Sequence, residues 1–199
     1  MGISKNEIVV ASINILNRDG INGLSMRTIA KELKIKAASL YNHISGKKEL
    51  YNEIAEYMCI QCVKPDESLA AKEYVIEIAK SYRAMLLTVR DSVVIFEDSF
   101  PSTPSRFEII KAWTERLKEV GVNEKNLLTV ANLFNNYVLS FTEDELRLRS
   151  RSPEYIGMVL QALNPDTKQI FINERDFDEQ FLFGLQLLLA GIESKTGEA

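Results

Sequence analysis

A chain of 199 residues that is 46% hydrophobic and 26% charged has the composition of a folded globular protein, one large domain or a small one joined to a larger. No apolar run approaches the ~20 residues of a bilayer span. Polar residues interrupt the N-terminus, MGISKNEIVV, too early for a secretory signal, so no membrane contact and a cytoplasmic location are expected. The net charge of −4 is unevenly spread: residues 1–62 carry eight Lys or Arg against six Asp or Glu (+2), and residues 63–199 carry sixteen against twenty-two (−6). A basic head on an acidic body implies that only the head meets nucleic acid.

Ser4 and Glu7 form an S-x-x-E capping box, which predicts a first helix from about Lys5 to Arg18. Val9, Ile13 and Leu16 lie on one of its faces, and Asp19-Gly20 stops it. Ile21-Asn22-Gly23-Leu24 is a loop that tucks Ile21 and Leu24 beneath the head. Ser25 caps a second helix with Ile29, Ala30 and Leu33 inside, and Lys34-Ile35-Lys36 turns the chain. A third helix follows from about Ala37 to His43, with Ile35, Leu40 and Ile44 pointing inward. This is the pattern of a helix-turn-helix, whose second helix lies in a DNA major groove. Residues 25–48 hold six Lys or Arg (Arg27, Lys31, Lys34, Lys36, Lys47, Lys48) against one acid, Glu32, which suits a surface facing phosphates.

Ser45-Gly46 breaks the chain, and a longer helix is expected from Lys47 to about Val63, ended by Pro65, with Leu50, Ile54, Tyr57 and Met58 inside. Its free N–H groups, beside Lys47 and Lys48, make a phosphate clamp. Cys59 and Cys62 form a C-x-x-C within that helix. Zinc needs about four ligands, and the single histidine, His43, sits by the DNA face. The pair therefore reads as packing, with a thiol switch as the lesser alternative.

The order helix, helix-turn-helix, SLYNHISGKKEL, connecting helix resembles the tetracycline-repressor (TetR-like) family of bacterial regulators. Gly20, Gly23-Leu24-Ser25, Arg27, Ile29-Ala30, Leu33, Ser39-Leu40-Tyr41, His43-Ile44, Lys47 and Leu50 carry the resemblance over residues 4–60. Lys34 departs from it, since many members have glycine in the turn. The resemblance implies two heads of a dimer in successive major grooves, ~34–36 Å apart, on a palindromic operator. Ala37, Ala38, Ser39 and Asn42 would face the groove, Arg27 would reach a guanine or a phosphate, and Tyr41, His43 and Lys47 would hold phosphates.

Beyond residue 66 there is no strand alternation, only helix punctuation. Ser68 opens a helix to about Arg90, residues 91–101 form a short helix or loop, and Thr103-Pro104 starts a helix to Gly121. Asn123 opens another, and the charged run from Glu143 to Ser152 reads as exposed and mobile. Ser152-Pro153 starts a shorter helix, and Asp176 with Glu179 boxes the last one. Phe177, Phe181, Leu185, Leu188 and Ile192 stripe that helix, and Leu182, Phe183, Leu187 and Leu189 widen the stripe. A second protomer is expected against it, with Gly184 and Gly191 permitting close approach.

The fold class is all-α: a three-helix DNA-binding domain (1–46), a connecting helix (47–65) and a larger helical domain (66–199), in which the family places its effector pocket and dimer interface. AKSYRAMLLTVRD (79–91) and FLFGLQLLLAGIE (181–193) are similar to stretches of the family's tetracycline-binding members. The resemblance places ligand contacts at Tyr82, Phe96, Pro101, Trp113, Leu128, Ala131 and Asn135. Those members have at Phe96 a histidine that ligates drug-bound magnesium; a phenyl ring cannot, so an apolar or aromatic effector is expected, without metal or other cofactor. The implied mechanism is a ligand-gated repressor in which the helix at 68–90 shifts against the helix at 47–63. Two rivals stand beside it. An enzyme lacks a Ser/His/Asp order and a Gly-rich phosphate loop in this chain, and an adaptor or activator would bind a protein through its body.

Overall fold

The computed structural model describes residues 3–164 and 176–196, and all regular structure among them is helical. Ten helices follow in order: α1 (Lys5–Asp19), α2 (Met26–Glu32), α3 (Ala37–Leu40), α4 (Lys47–Ile60), α5 (Ala71–Leu86), α6 (Ser92–Asp98), α7 (Pro104–Glu119), α8 (Glu124–Arg149), α9 (Pro153–Ala162) and α10 (Phe177–Thr196). A 3-10 turn at Ile21–Gly23 follows α1. At several helix starts side chains take up the free N–H groups. Ser4 and Glu7 complete a reciprocal box, Ser25 and Thr28 do the same, and Asn123 and Ser152 cap α8 and α9. The Asp176 carboxylate accepts from the N–H groups of Asp178 and Glu179 at 2.9 and 3.1 Å, the forward half of the box expected there.

Several ends differ from expectation. The α-helical part of the recognition helix stops at Leu40, and the chain continues to His43 as turns, with His43 and Ile44 N–H both donating to the Leu40 carbonyl at 2.9 Å. Helix α4 ends at Ile60, three residues before Val63. Both residues are exposed, so no apolar face sustains a further turn, and the Gln61 amide donates to the Tyr57 carbonyl at 3.1 Å. Helix α5 is shorter at both ends than 68–90. The Thr88 and Ser92 hydroxyls claim the carbonyls of Met85 and Leu86, at 2.6 and 2.7 Å, and Asp91 adopts a left-handed backbone, φ 58°.

The stretch from Glu143 to Arg149 corrects the exposed, mobile expectation: it is the last part of α8, and Glu145 is 0% exposed. Arg83, buried on α5, explains it. Its Nε donates to one Glu145 oxygen at 2.7 Å, and its Nη1 to Asp178 at 2.7 Å. The other Glu145 oxygen meets Arg149 Nη2 at 2.5 Å. The Arg83 guanidinium also lies 4.9 Å from the Phe181 ring centroid and 5.5 Å from that of Phe141. Helices α5, α8 and α10 are thereby fastened at one buried point.

Buried apolar residues run as one core from Ile8 in α1 to Leu189 in α10. Helix α4 joins the two ends of it: Leu50, Tyr51, Ile54, Ala55, Met58 and Cys59 are buried, with α1 on one side and α6 and α7 on the other. Helix α5 meets α4 only marginally, because its apolar face (Val75, Ile78, Tyr82, Leu86) is taken by α7 and α8. Helices α6 and α7 pack on α4 more extensively than α5 does. Gly184 also serves its own chain. A Cβ there would overlap the Tyr137 ring, which stacks on Phe181 at 5.5 Å and donates to the Phe181 carbonyl at 3.0 Å.

Candidate nucleic-acid interface and effector cleft

The head face begins at the turn between α2 and α3. Lys34 holds φ 56°, a left-handed conformation that a β-carbon disfavours by about 1–2 kcal/mol. It lets Ile35 N–H return to the Ala30 carbonyl at 3.0 Å and sets the angle between the two helices. Glycine at Lys34 should raise stability by about 0.5–1 kcal/mol, the relieved strain exceeding the extra freedom of the unfolded chain. Lys34→Ala keeps the β-carbon and should show no gain in a thermal melt; equal melting of the two variants would contradict this reading.

Ala37 and Ala38 are exposed at the start of α3, Ser39 is half-buried, and Leu40 faces the core. Tyr41 and Asn42 are exposed and His43 is half-buried just beyond. Arg27 is exposed on α2, and Lys47 is exposed at the start of α4 with its Nζ 5.0 Å from the Tyr51 ring centroid. Among the described residues none of the six cations Arg27, Lys31, Lys34, Lys36, Lys47 and Lys48 has an acidic partner within 4.0 Å. Cations elsewhere, such as Arg83, Arg116 and Arg147, are paired. Small side chains flanked by uncompensated cations fit close approach to a duplex. Glu49 holds the base of this face: it accepts from the backbone N–H and hydroxyl of Ser45, both at 2.7 Å, and from Lys5 at 3.2 Å. Those bonds lower its carboxyl to about 2, so it stays ionised.

In the body, Tyr82 (α5), Phe96 (α6) and Trp113 (α7) are buried and in contact. The Tyr82 ring lies edge-on 5.7 Å from Phe96 and 5.6 Å from Trp113. Phe96, Pro101 and Asn135 line a cleft of about 480 Å³, together with Glu97, Arg106, Asn136, Leu139 and Ser140. Ala131 is buried on α8 outside that lining, and Leu128 is 70% exposed, away from the cleft of its own chain. Sequence reasoning missed Arg106 and Asn136. Arg106 lies three, seven and eleven residues before Ile109, Trp113 and Leu117, all buried, so helical spacing from Trp113 was the signal that it faces inward.

One segment touches both regions. Asp91, at the start of α6, accepts from Ile21 N–H at 2.6 Å, and Arg90 N–H donates to the Asn17 side chain at 2.9 Å. Gly20 (φ 72°) holds a left-handed backbone against the Arg90 and Asp91 side chains, 2.9 Å from Asp91 Oδ2 to the place a β-carbon would take. The cysteines take no part. Burial pushes the Cys59 thiol up to about 12 and the Cys62 thiol up to about 11. At pH 8 fewer than about one in a hundred should be thiolate. Ellman's reagent should label both only after unfolding; rapid labelling of the folded protein would restore the thiol-switch alternative.

A helix-turn-helix head with an open cationic face, on a helical body holding a cleft, defines a DNA-binding regulator. The chain matches two family models, "Bacterial regulatory proteins, tetR family" over residues 8–54 and "Tetracyclin repressor-like, C-terminal domain" over residues 65–196. It belongs to the TetR family of transcriptional regulators. It is 26% identical to the tetracycline repressor protein class E of Escherichia coli, covering 98% of this chain and 93% of that protein. The structure of ActR from Streptomyces coelicolor in complex with actinorhodin superposes with a TM-score of 0.83 at 26% identity, covering 98% of each chain. BioQ, a protein of Mycobacterium smegmatis, seen with its double-stranded DNA operator, gives a TM-score of 0.76 at 28% identity over 96% of this chain and 98% of that one. No helix among the described residues is long and apolar enough to cross a membrane.

Proposed function

We propose that this protein is a dimeric repressor that binds a palindromic operator in the cytoplasm and is released by a small molecule with an apolar or aromatic body. Binding rather than catalysis is its task. The observation that carries the reading is the position of α6. The seven-residue helix lines the cleft through Phe96, and Asp91, the residue that precedes it, holds the head. A ligand that displaces Phe96 shifts α6, and α4 and the Ile21 turn move with it. The ligand's preference for one arrangement sets the size of the effect. The exposed apolar side chains Leu133 on α8 and Phe183 and Leu187 on α10 support a second protomer at that face. The contacts Arg27, Ala37, Ala38, Ser39, Tyr41, Asn42, His43 and Lys47 are carried over as the DNA face, and Tyr82, Phe96, Pro101, Trp113, Ala131 and Asn135 as the ligand side. Leu128 is assigned to the interface between protomers, where its exposure favours it.

The test is selection of bound duplexes from a random pool by the purified chain, followed by the mass of the complex. An inverted repeat with half-sites about one or two helical turns apart, bound by an even number of protomers, is expected. Recovery of unrelated sequences, or one protomer on a single half-site, would overturn the dimeric-operator reading.

A further inference from the structure

The effector cleft contains a guanidinium, that of Arg106, which lies 4.8 Å from the Phe96 ring centroid and faces no carboxylate at ion-pair distance among the described residues. Arg106 is 8% exposed and lines the cleft beside Phe96. Its Nη1 donates to the Ser99 hydroxyl at 2.5 Å and the Ser99 carbonyl at 3.5 Å, and its Nη2 to the Phe96 carbonyl at 2.9 Å. All these acceptors are uncharged. Among the described residues no carboxylate lies within ion-pair distance of it. Glu56, on the adjoining α4, spends its oxygens on the N–H groups of Ser105 at 3.0 Å and Arg106 at 3.4 Å. Glu97 also lines the cleft, but it is exposed, so water screens it. A buried guanidinium without a counter-charge is costly to keep.

A second observation points the same way. Trp113 is 3% exposed, and its Nε1–H has no hydrogen-bond partner. It is joined to the cleft wall through Tyr82, whose ring touches both Trp113 and Phe96. Set among aromatic rings, Arg106 and Trp113 both offer donors, beside the Asn135 and Asn136 amides and the water-screened Glu97 of the cleft lining. Such a site asks for acceptor oxygens and negative charge on a planar apolar frame.

We propose that the cleft beside Phe96 takes an aromatic acid, with Arg106 as the counter-charge for its carboxylate. This rests on the effector reading above and narrows it from apolar or aromatic molecules to anionic ones. A neutral isostere leaves the guanidinium unbalanced, and a cationic one is repelled by it.

The test is equilibrium dialysis of the full-length protein against 2-naphthoate, 2-naphthamide and 2-naphthylmethylammonium, three probes of one shape and three charges. The wild type should hold the acid at least about tenfold tighter than the amide and the ammonium weakest, since a hydrogen bond to a charged group contributes on that scale. Arg106→Met should bring acid and amide to within about twofold, and Arg106→Lys, which keeps the charge and loses the fork, should retain part of the preference. Melting curves establish that each variant is folded, and Arg106→Lys carries the test should Arg106→Met not fold. Equal binding of acid and amide by the wild type, or an undiminished preference in Arg106→Met, would overturn the anion proposal while leaving the effector cleft standing. Failure of all three probes to bind would overturn both together.

Discussion

Replacing Glu145 with alanine should lower the melting temperature by about 10 °C. Glu145 is fully buried and holds Arg83 at 2.7 Å and Arg149 at 2.5 Å. Without it Arg83 keeps only Asp178, whose side chain is open to water. A buried charge stripped of its partner costs about 3–5 kcal/mol, and in a chain of this size each kcal/mol moves the midpoint by about 2–4 °C. The double variant Arg83→Met/Glu145→Leu removes both charges and fills the space with apolar atoms, so it should regain most of the loss. Thermal unfolding of the two single variants and the double variant measures the coupling directly. Additive losses would show that the pair does not fasten α5 to α8.

The second large effect is on DNA. Asn42→Ala should weaken binding to the selected operator by about 1–3 kcal/mol and leave affinity for unrelated duplex unchanged, because an amide that reads a base edge carries sequence preference. Lys47→Ala should weaken both alike and reduce the slope of log K against log salt by about one. Binding isotherms at several salt concentrations separate the two behaviours. If Asn42→Ala lowered operator and non-operator affinity equally, Asn42 would be a phosphate contact; if Lys47→Ala kept both affinity and salt slope, its ammonium would be a solvated charge over Tyr51.

Four helix starts were legible in the sequence because they are written locally. Ser4, Ser25, Asn123 and Ser152 each hold a backbone group within four residues, and no distant partner is needed to read them. The inward positions Leu40, Ile44 and Ile54 were legible from helical spacing for the same reason. The head face could be read in outline, since its exposed small residues and cations cluster within residues 25–48. What escaped was whatever depends on contacts far along the chain. Glu145 looked like part of a solvated run because its partner Arg83 stands 62 residues away. The close packing of Gly184 on Tyr137 of the same chain escaped as well. Arg106 sits in SRFE, a string that reads as surface, and only the buried Trp113 one face along reveals its direction. Periodicity tells which way a side chain points, but not which ion or ring it will meet there.

The bond from Ile21 to Asp91 bears on how modular this architecture is. Family members invite recombination: fuse one head to another body and redirect a sensor to a new promoter. Here the head does not hang on a loop at residue 46 alone, because it also rests on the 90–91 corner through the Ile21 and Asn17 bonds and on α4 through the continuous core. A chimera cut at 46 would leave the Ile21 N–H facing a foreign corner. One that also carries Arg90 and Asp91 into the new body transplants the joint together with the head, and should keep both its repression and its response to the inducer.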